Sequence, residues 1–106
     1  MDNTFVLDVT GRVTIEHDAQ LREAIREAAE SGARNVLLNM KGVTKLDSSG
    51  IGDLVAAQMA MSERGGRLLL VGLSEKLARV LQITNLLGVL ELYDQMDSAL
   101  ATLEKQ

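Results

Sequence analysis

Residues 35–72 read NVLLNMKGVTKLDSSGIGDLVAAQMAMSERGGRLLLVG, and this stretch decides the fold. Apolar residues dominate its two ends, at Asn35–Met40 and at Arg67–Gly72. Short apolar runs without alternation are typical of strands that are buried on both faces of a sheet. Lys41–Lys45 is polar and contains a glycine, so it predicts a short connection, and from Ile51 onward apolar residues recur at helical spacing. The stretch therefore predicts two parallel strands joined through a helix.

The sequence on either side of this unit continues the alternation of strand and helix patterns. Before it, Phe5–Val9 predicts a strand that ends near Gly11, and a helical pattern runs from Asp18 to a left-handed cap at Gly32. After it, the predicted elements are a helix capped by Ser74, a short strand at Leu90–Tyr93 and a last helix that bears Leu100 and Leu103. This order predicts one α/β domain over residues 1–106, with a mostly parallel four-stranded sheet, about four helices and right-handed crossovers.

The composition excludes several classes of chemistry. The chain has 106 residues, of which 46% are hydrophobic, and this suffices for one core without disulfides or a structural metal. It contains no cysteine, so a disulfide framework, a cysteine zinc site and a thiol nucleophile are excluded. The single histidine, His17, precedes the first predicted helix and is best interpreted as a surface residue. We therefore predict no catalytic residue, no metal site and no cofactor.

Charge and hydropathy bear on the partners and the location of the protein. The formal net charge is −4 and only Phe5 and Tyr93 are aromatic, so nucleic acid is not an expected partner. No apolar run approaches the ~18 residues of a transmembrane helix, so membrane insertion is not expected. The first residues do not resemble a signal peptide, because they lack a basic segment followed by an apolar one. The expected location is the cytoplasm.

The residues most informative about function are Asp47-Ser48-Ser49-Gly50, which precede the central helical pattern. Asp47 is a good N-cap, because its carboxylate can accept hydrogen bonds from free amides of the first turn. The two hydroxyls stand at the carboxyl end of a strand, where α/β proteins place their sites. Gly50 and Gly52 each cost the helix about 0.5–1 kcal/mol relative to alanine, which indicates that another backbone approaches closely. The plainer alternative is a polar cap followed by small residues that let the helix start near the sheet.

A catalytic role for this region has little support in the sequence. Asp47 and Asp53 are separated by about 600° of helical rotation, so their side chains point to different faces. Gly50-Ile51-Gly52 lacks the third glycine of a dinucleotide fingerprint and lies within a helix rather than before one. A small enzyme with Ser48 or Ser49 as nucleophile is a further alternative. The absence of a second histidine, of cysteine and of a metal set speaks against it.

Leu46–Gly52 resembles the signature of the STAS domain, as found in bacterial anti-sigma factor antagonists. The resemblance extends over nearly the whole chain, through the segments Val9–Val13, Val36–Met40, Gly65–Leu70 and Val80–Leu86. It implies that Ser48, directly after the aspartate, is a phosphoacceptor and that Asp47 helps to set its geometry. It also implies that Ser49, Gly50 and Ile51 line the contact with a partner.

The resemblance implies a role in partner switching, without catalysis by this chain. In the family, a serine/threonine kinase that binds ATP and is also the anti-sigma factor phosphorylates the antagonist. The unmodified antagonist binds that kinase and frees the sigma factor, whereas the phosphorylated form lets go, and a serine phosphatase is a further implied partner. Transcription that depends on the sigma factor is regulated in this way. The alternative is a non-catalytic STAS subunit of a larger assembly, such as a lipid-transport complex, in which the same surface docks without a phosphate cycle.

Two departures from the family pattern bear on the partners. Family members usually have a further strand before the one predicted at Phe5–Val9, and here Met1-Asp2-Asn3 stand in that place, so that strand is expected to be missing. The strand at Phe5–Val9 would then be an open edge. Such an edge predicts either a homodimer through paired edges or a monomer whose first residues and a loop fold over it. Many antagonists also have acidic residues at the places of Arg12 and Thr14, so the contact with a kinase would differ in charge.

Overall fold

Strands and helices alternate along the chain in the computed structural model, which describes residues 3–84 and 88–104. The strands are Thr4–Val13 (β1), Asn35–Leu46 (β2), Arg67–Val71 (β3) and Glu91–Tyr93 (β4). The helices are Asp18–Glu30 (α1), Ser48–Glu63 (α2), Glu75–Thr84 (α3) and Met96–Glu104 (α4). Within these residues the strands form one four-stranded sheet in the order β1-β2-β3-β4, and each neighbouring pair is parallel. The predicted α/β class, with a parallel four-stranded sheet and four helices, is confirmed.

Different helices cover the two faces of the sheet. Right-handed connections between strands that follow one another across a sheet place their helices on the same face. Accordingly, α1, α2 and α3 pack on the face whose buried strand residues include Val36, Leu38, Leu68 and Leu70. Helix α4 packs through Ala99 and Leu103 on the opposite face, against Leu37, Leu69 and Val71. The central strands β2 and β3 are therefore buried on both faces, as their unbroken apolar runs predict.

Strand β2 is longer than the sequence predicts. The interpretation of Lys41–Lys45 as a connection is wrong, because β2 continues through it to Leu46 and stays paired with β1. A glycine allows this pairing at position 42, where a Cβ would lie 2.6 Å from Cγ2 of Thr10. In the described residues, β3 pairs with β2 only as far as Asn39. The remainder of β1 and β2 forms a two-stranded arm whose polar side chains can stay hydrated.

The ends of the helices follow the predicted turn chemistry. Gly32 and Gly65 have φ angles of 96° and 79°, in the left-handed region that favours glycine, and they follow α1 and α2. The N–H of Leu77 donates to Oγ of Ser74 at 3.2 Å, so Ser74 caps α3 as predicted. In the parts of the chain that the structure describes, no helix is both long enough and apolar enough to cross a membrane.

Polar groups tie the amino ends of the central strands to their neighbours. Gln58 of α2 is buried, and its Oε1 accepts a hydrogen bond from the N–H of Leu68 at 2.7 Å. Arg67 of β3 pairs with Glu91 of β4, and the hydrogen bond from Arg67 lowers the pKa of the Glu91 carboxyl. The hydroxyl of Tyr93 donates to the same carboxylate at 3.2 Å. The pair of Arg67 and Glu91 holds the short strand β4 against β3. This pair lies at the end of the sheet away from the start of α2.

Strand β1 forms one edge of the sheet. Its strand partner among residues 3–84 and 88–104 is β2 alone. Phe5 and Val6 on this strand are 39% and 49% exposed. A groove of about 460 Å³ lies between β1 and the first turns of α1. The edge is open in the described structure, and the homodimer that an open edge implies stays a prediction.

Candidate functional site

The candidate site is the first turn of α2, where the chain leaves β2. Asp47 has extended backbone angles, with φ of −116° and ψ of −179°, and the helix begins at Ser48. The Oδ1 atom of Asp47 accepts a hydrogen bond from the N–H of Gly50 at 2.9 Å. This bond satisfies one of the amides that the first turn of a helix leaves without an intrahelical partner. Asp47 is therefore the N-cap that the sequence predicts.

The second carboxylate oxygen of Asp47 binds another part of the chain. Its Oδ2 accepts a hydrogen bond from the N–H of Ile15 at 3.0 Å, and the N–H of Asp47 donates to the carbonyl of Val13 at 3.3 Å. Residues 14–17 form the loop between β1 and α1, which we call the β1–α1 loop. Asp47 thus joins this loop to α2. The two side-chain bonds use two separate acceptor oxygens, which a carboxylate supplies and a carboxamide does not.

The two glycines of the signature have different physical reasons for being glycine. A Cβ on Gly50 would lie 2.3 Å from the carbonyl oxygen of Val13, so the end of β1 approaches the helix too closely for any side chain. A Cβ on Gly52 would have no atom within 4 Å. The expectation that both glycines admit a neighbouring backbone is confirmed for Gly50 and wrong for Gly52. The exposed surface at Gly52 is open to solvent.

The predicted site residues differ in how accessible they are. Ser48 is exposed, Ser49 is half-buried, and Gly50 is buried against β1. Ile51 is half-buried and packs against the main core, so part of its side chain serves the fold. The structure therefore brings Asp47, Ser48, Ser49 and Gly50 together at one helix start, and of the two serines Ser48 is the more exposed residue. Ser48 also lies at the positive end of the helix dipole of α2.

The β1–α1 loop contributes Ile15, a residue that reasoning from the sequence missed. Thr14 is only 4% exposed, and its Oγ1 lies 3.2 Å from Nδ1 of His17. The N–H of His17 donates to the carbonyl of Thr14 at 2.8 Å, which closes a turn. Ile15, between them, is 70% exposed. The signal in the sequence was Ile15 itself, a branched apolar residue between polar and charged neighbours just before a helix. Of the two positions at which many antagonists are acidic, Arg12 is exposed, whereas Thr14 is buried and contributes little to the surface.

Other candidate groups are used elsewhere. Asp53 lies six residues beyond Asp47, about one and two-thirds helical turns, and pairs with Arg22 of α1, Nε to Oδ2 at 3.8 Å. The prediction that the two aspartates do not form a catalytic pair agrees with these separate partners. His17 is exposed, as predicted. Within residues 3–84 and 88–104, no three His, Cys, Asp or Glu side chains cluster in a way that could hold a metal ion.

A comparison with known protein families identifies the type of domain. A family model described as "Mlab, STAS domain" matches residues 1–93. The chain belongs to the STAS-domain family. The match includes all four strands and the start of α2, so the resemblance seen in the signature around Ser48 is confirmed.

Individual STAS proteins resemble this one in sequence and in fold. The anti-sigma-B factor antagonist of Bacillus subtilis is 31% identical over 91 residues, which are 86% of this chain and 83% of the relative. An anti-sigma factor antagonist from Mycobacterium paratuberculosis superposes with a TM-score of 0.85 at 22% identity, over 98% of this chain and 88% of the other. The Bacillus cell fate determinant SpoIIAA in its phosphorylated form gives 0.70 at 20% identity, over 97% and 93%. The last two likenesses show the STAS fold.

The two glycines provide a matched test of the close approach between β1 and α2. We expect Gly50→Ala to lower the free energy of unfolding by about 1–3 kcal/mol, because the new methyl group must displace the Val13 carbonyl. We expect Gly52→Ala to raise it by about 0.5–1 kcal/mol, because alanine favours the helix and meets no atom there. Urea unfolding of both variants measures the two shifts. Shifts of the same sign would contradict the assignment of Gly50 as the contact position.

Proposed function

We propose that this STAS domain is an anti-sigma factor antagonist whose binding to an anti-sigma factor kinase is switched by phosphorylation of Ser48. The observation that carries the proposal is the exposed residue Ser48 at the start of α2, directly after an aspartate, Asp47, whose two carboxylate oxygens bind backbone amides. The similarity to the anti-sigma-B factor antagonist of Bacillus subtilis supports it. So does the likeness in fold to SpoIIAA, for which a phosphorylated form is known.

The covalent step belongs to the partner and not to this chain. The kinase binds ATP, the Ser48 hydroxyl oxygen attacks the γ-phosphorus, and the bond from that phosphorus to the bridging oxygen of ADP breaks. The serine proton passes to a base of the kinase or to solvent as the phosphate ester forms. A serine phosphatase restores the hydroxyl: water attacks the same phosphorus, the bond from phosphorus to the Ser48 oxygen breaks, and inorganic phosphate leaves while the serine oxygen takes up a proton. This domain supplies a rigidly placed acceptor, and we propose no catalytic role for Asp47, Ser49 or any other of its residues.

A phosphate on Ser48 would have different electrostatic effects on the stability of the fold and on the binding of the partner. A phosphate adds about −1.5 to −2 charges at neutral pH. At the positive end of the helix dipole of α2, this charge is favourable for the folded domain. Inside a closed interface the same charge lies beside Asp47 and must be desolvated, which opposes binding. The phosphate therefore releases the partner while the domain stays folded.

The remaining parts of the proposal concern the surroundings of the protein. We place the domain in the cytoplasm, with the kinase, the phosphatase and the sigma factor. Ser49, Gly50 and the exposed part of Ile51 would border the partner contact.

One observation favours a second candidate, a non-catalytic STAS subunit of a larger assembly such as a lipid-transport complex. Arg12 is an exposed cation where many antagonists have an acidic residue, so a kinase that contacts this position would meet the opposite charge.

The open edge of β1 leads us to propose a homodimer through antiparallel pairing of two β1 strands. Light scattering over a dilution series should show a dimer that dissociates on dilution. Val6→Lys should give a monomer, because Val6 is 49% exposed on the edge strand and a lysine there guards the edge. Val80→Lys, at a 36% exposed position on α3, is the matched control and should leave the dimer intact. A monomer at high concentration in the unmutated protein would refute the pairing and favour an edge covered by the chain itself.

Substitution of Ser48 tests the switch directly. We expect Ser48→Ala to take up no phosphate from the ATP-bound kinase while it still binds that kinase. We expect Ser48→Asp to weaken binding by at least about tenfold, because it places a second carboxylate beside Asp47 at the interface. Ser49→Ala is the control and should still be phosphorylated. Mass spectrometry that finds the phosphate on Ser49 alone would sink the assignment, and a protein that binds its partner but is never modified would favour the assembly subunit.

Amide hydrogen exchange tests whether release is an effect at the interface. In the phosphorylated protein we expect protection across Ile51–Met61 to stay within a few-fold of the unmodified protein, because the helix start accommodates the charge. Exchange is to be compared at equal pH in the two forms, with the buried strand β3 as an internal reference. A large loss of protection confined to α2 would mean that phosphorylation acts by local unfolding.

A further inference from the structure

Ile15 is an apolar side chain that the fold holds out in solvent. It is 70% exposed, as is Ile83 near the end of α3. Exposed apolar residues are common on protein surfaces and need no explanation when they stand on mobile segments or alone on a helix. Ile15 is different, because several separate bonds fix the short loop that carries it. The loop gives up conformational freedom to keep this side chain in one position.

The hydrogen bonds and contacts of the β1–α1 loop converge on residues 47–50 at the start of α2, which we call the phosphoacceptor turn because it contains the proposed acceptor Ser48. The N–H of Ile15 donates to Oδ2 of Asp47 at 3.0 Å. On one side, Val13 accepts from the N–H of Asp47 and approaches Gly50 without room for a Cβ. On the other side, Thr14 is buried and bonded to His17. The backbone of Ile15 is thus one hydrogen bond away from the residue that precedes Ser48.

We infer that Ile15 is the apolar anchor of the partner interface, and that it enters an apolar pocket of the anti-sigma factor kinase next to the bound Ser48. The inference rests on the proposed function and names a residue that determines its specificity. An interface residue that contributes strongly to affinity is typically a rigid apolar or aromatic side chain near the centre, surrounded by groups that exclude water. The hydrogen bond from the Ile15 backbone to Asp47, directly before Ser48, puts this exposed side chain on the loop that borders the proposed contact.

Two other exposed apolar residues, Met59 and Ile83, are less well placed for this role. Met59 is exposed on α2, but it is eleven residues beyond Ser48, about 16 Å along the helix axis. Ile83 lies near the end of α3, which starts at the carboxyl end of β3 and leads back toward the amino end of β4. Ile83 therefore lies toward the opposite end of the sheet from Ser48. Ile15 alone of these three is joined to the phosphoacceptor turn by a hydrogen bond.

Ile15→Asn and Ile83→Asn are a matched pair, because the two isoleucines are equally exposed. Binding is measured by titration calorimetry with the cognate anti-sigma factor kinase, loaded with Mg²⁺ and an ATP analogue that cannot transfer its γ-phosphate, and the unfolding midpoint in urea is measured for each variant. We expect Ile15→Asn to weaken binding about 10- to 100-fold, as the loss of one buried branched side chain implies. Ile83→Asn should bind as the unmutated protein does. Both midpoints should be unchanged.

Ile15→Leu keeps an apolar side chain and the backbone N–H, so it should bind within a few-fold of the unmutated protein. Equal binding by Ile15→Asn and the unmutated protein would overturn the inference and leave the proposed function standing. A fall in the unfolding midpoint that matches the loss of binding would overturn it too, because Ile15 would then serve the fold. If the unmutated protein neither binds the kinase nor is phosphorylated by it, the proposed function and the inference both fail.

Discussion

The Asp47 carboxylate, shared between two backbone amides, is the interaction on which the candidate site depends. One oxygen starts α2 by accepting from Gly50, and the other holds the β1–α1 loop by accepting from Ile15. Without it, the helix would lose its cap and the loop would lose its attachment at the same time. The close approach of the Val13 carbonyl to Gly50 is compatible with this arrangement only because position 50 has no side chain. Two residue types, an aspartate and a glycine three positions later, thus determine where Ser48 stands.

The rest of the domain keeps that arrangement rigid while Ser48 stays exposed. The central strands β2 and β3 are buried on both faces, and polar bonds at their amino ends fix the neighbouring elements. Such a scaffold changes little when a negative charge is added at its surface, because the charge lies at the positive end of a helix dipole and not among packed side chains. In the switch proposed for Ser48, a phosphate would therefore alter what binds without altering what is folded.

The sequence was sufficient for most of the fold and for the centre of the site. Unbroken apolar runs identified β2 and β3, and the order of Asp47 and Ser48 before a helical pattern identified the cap. It was not sufficient for the arm formed by β1 and β2, because the polar residues from Lys41 to Lys45 follow a loop composition. Their strand structure comes from pairing with β1, and pairing is not a local property. Nor did it distinguish Gly50 from Gly52, since the contact with Val13 joins residues far apart in sequence.

The order of the strands across the sheet is the order in which they occur in the chain. Each new strand can therefore add to the one made just before it, and no strand must wait to be inserted between two earlier ones. The contacts described at the start of α2 all join residues in the first half of the chain, from Val13 to Gly50. On a ribosome, where the amino-terminal part of a chain emerges first, these contacts become possible before β3 and β4 have been synthesised. The order of synthesis and the order of the strands thus favour the same sequence of events, in which the candidate site forms before the core is closed.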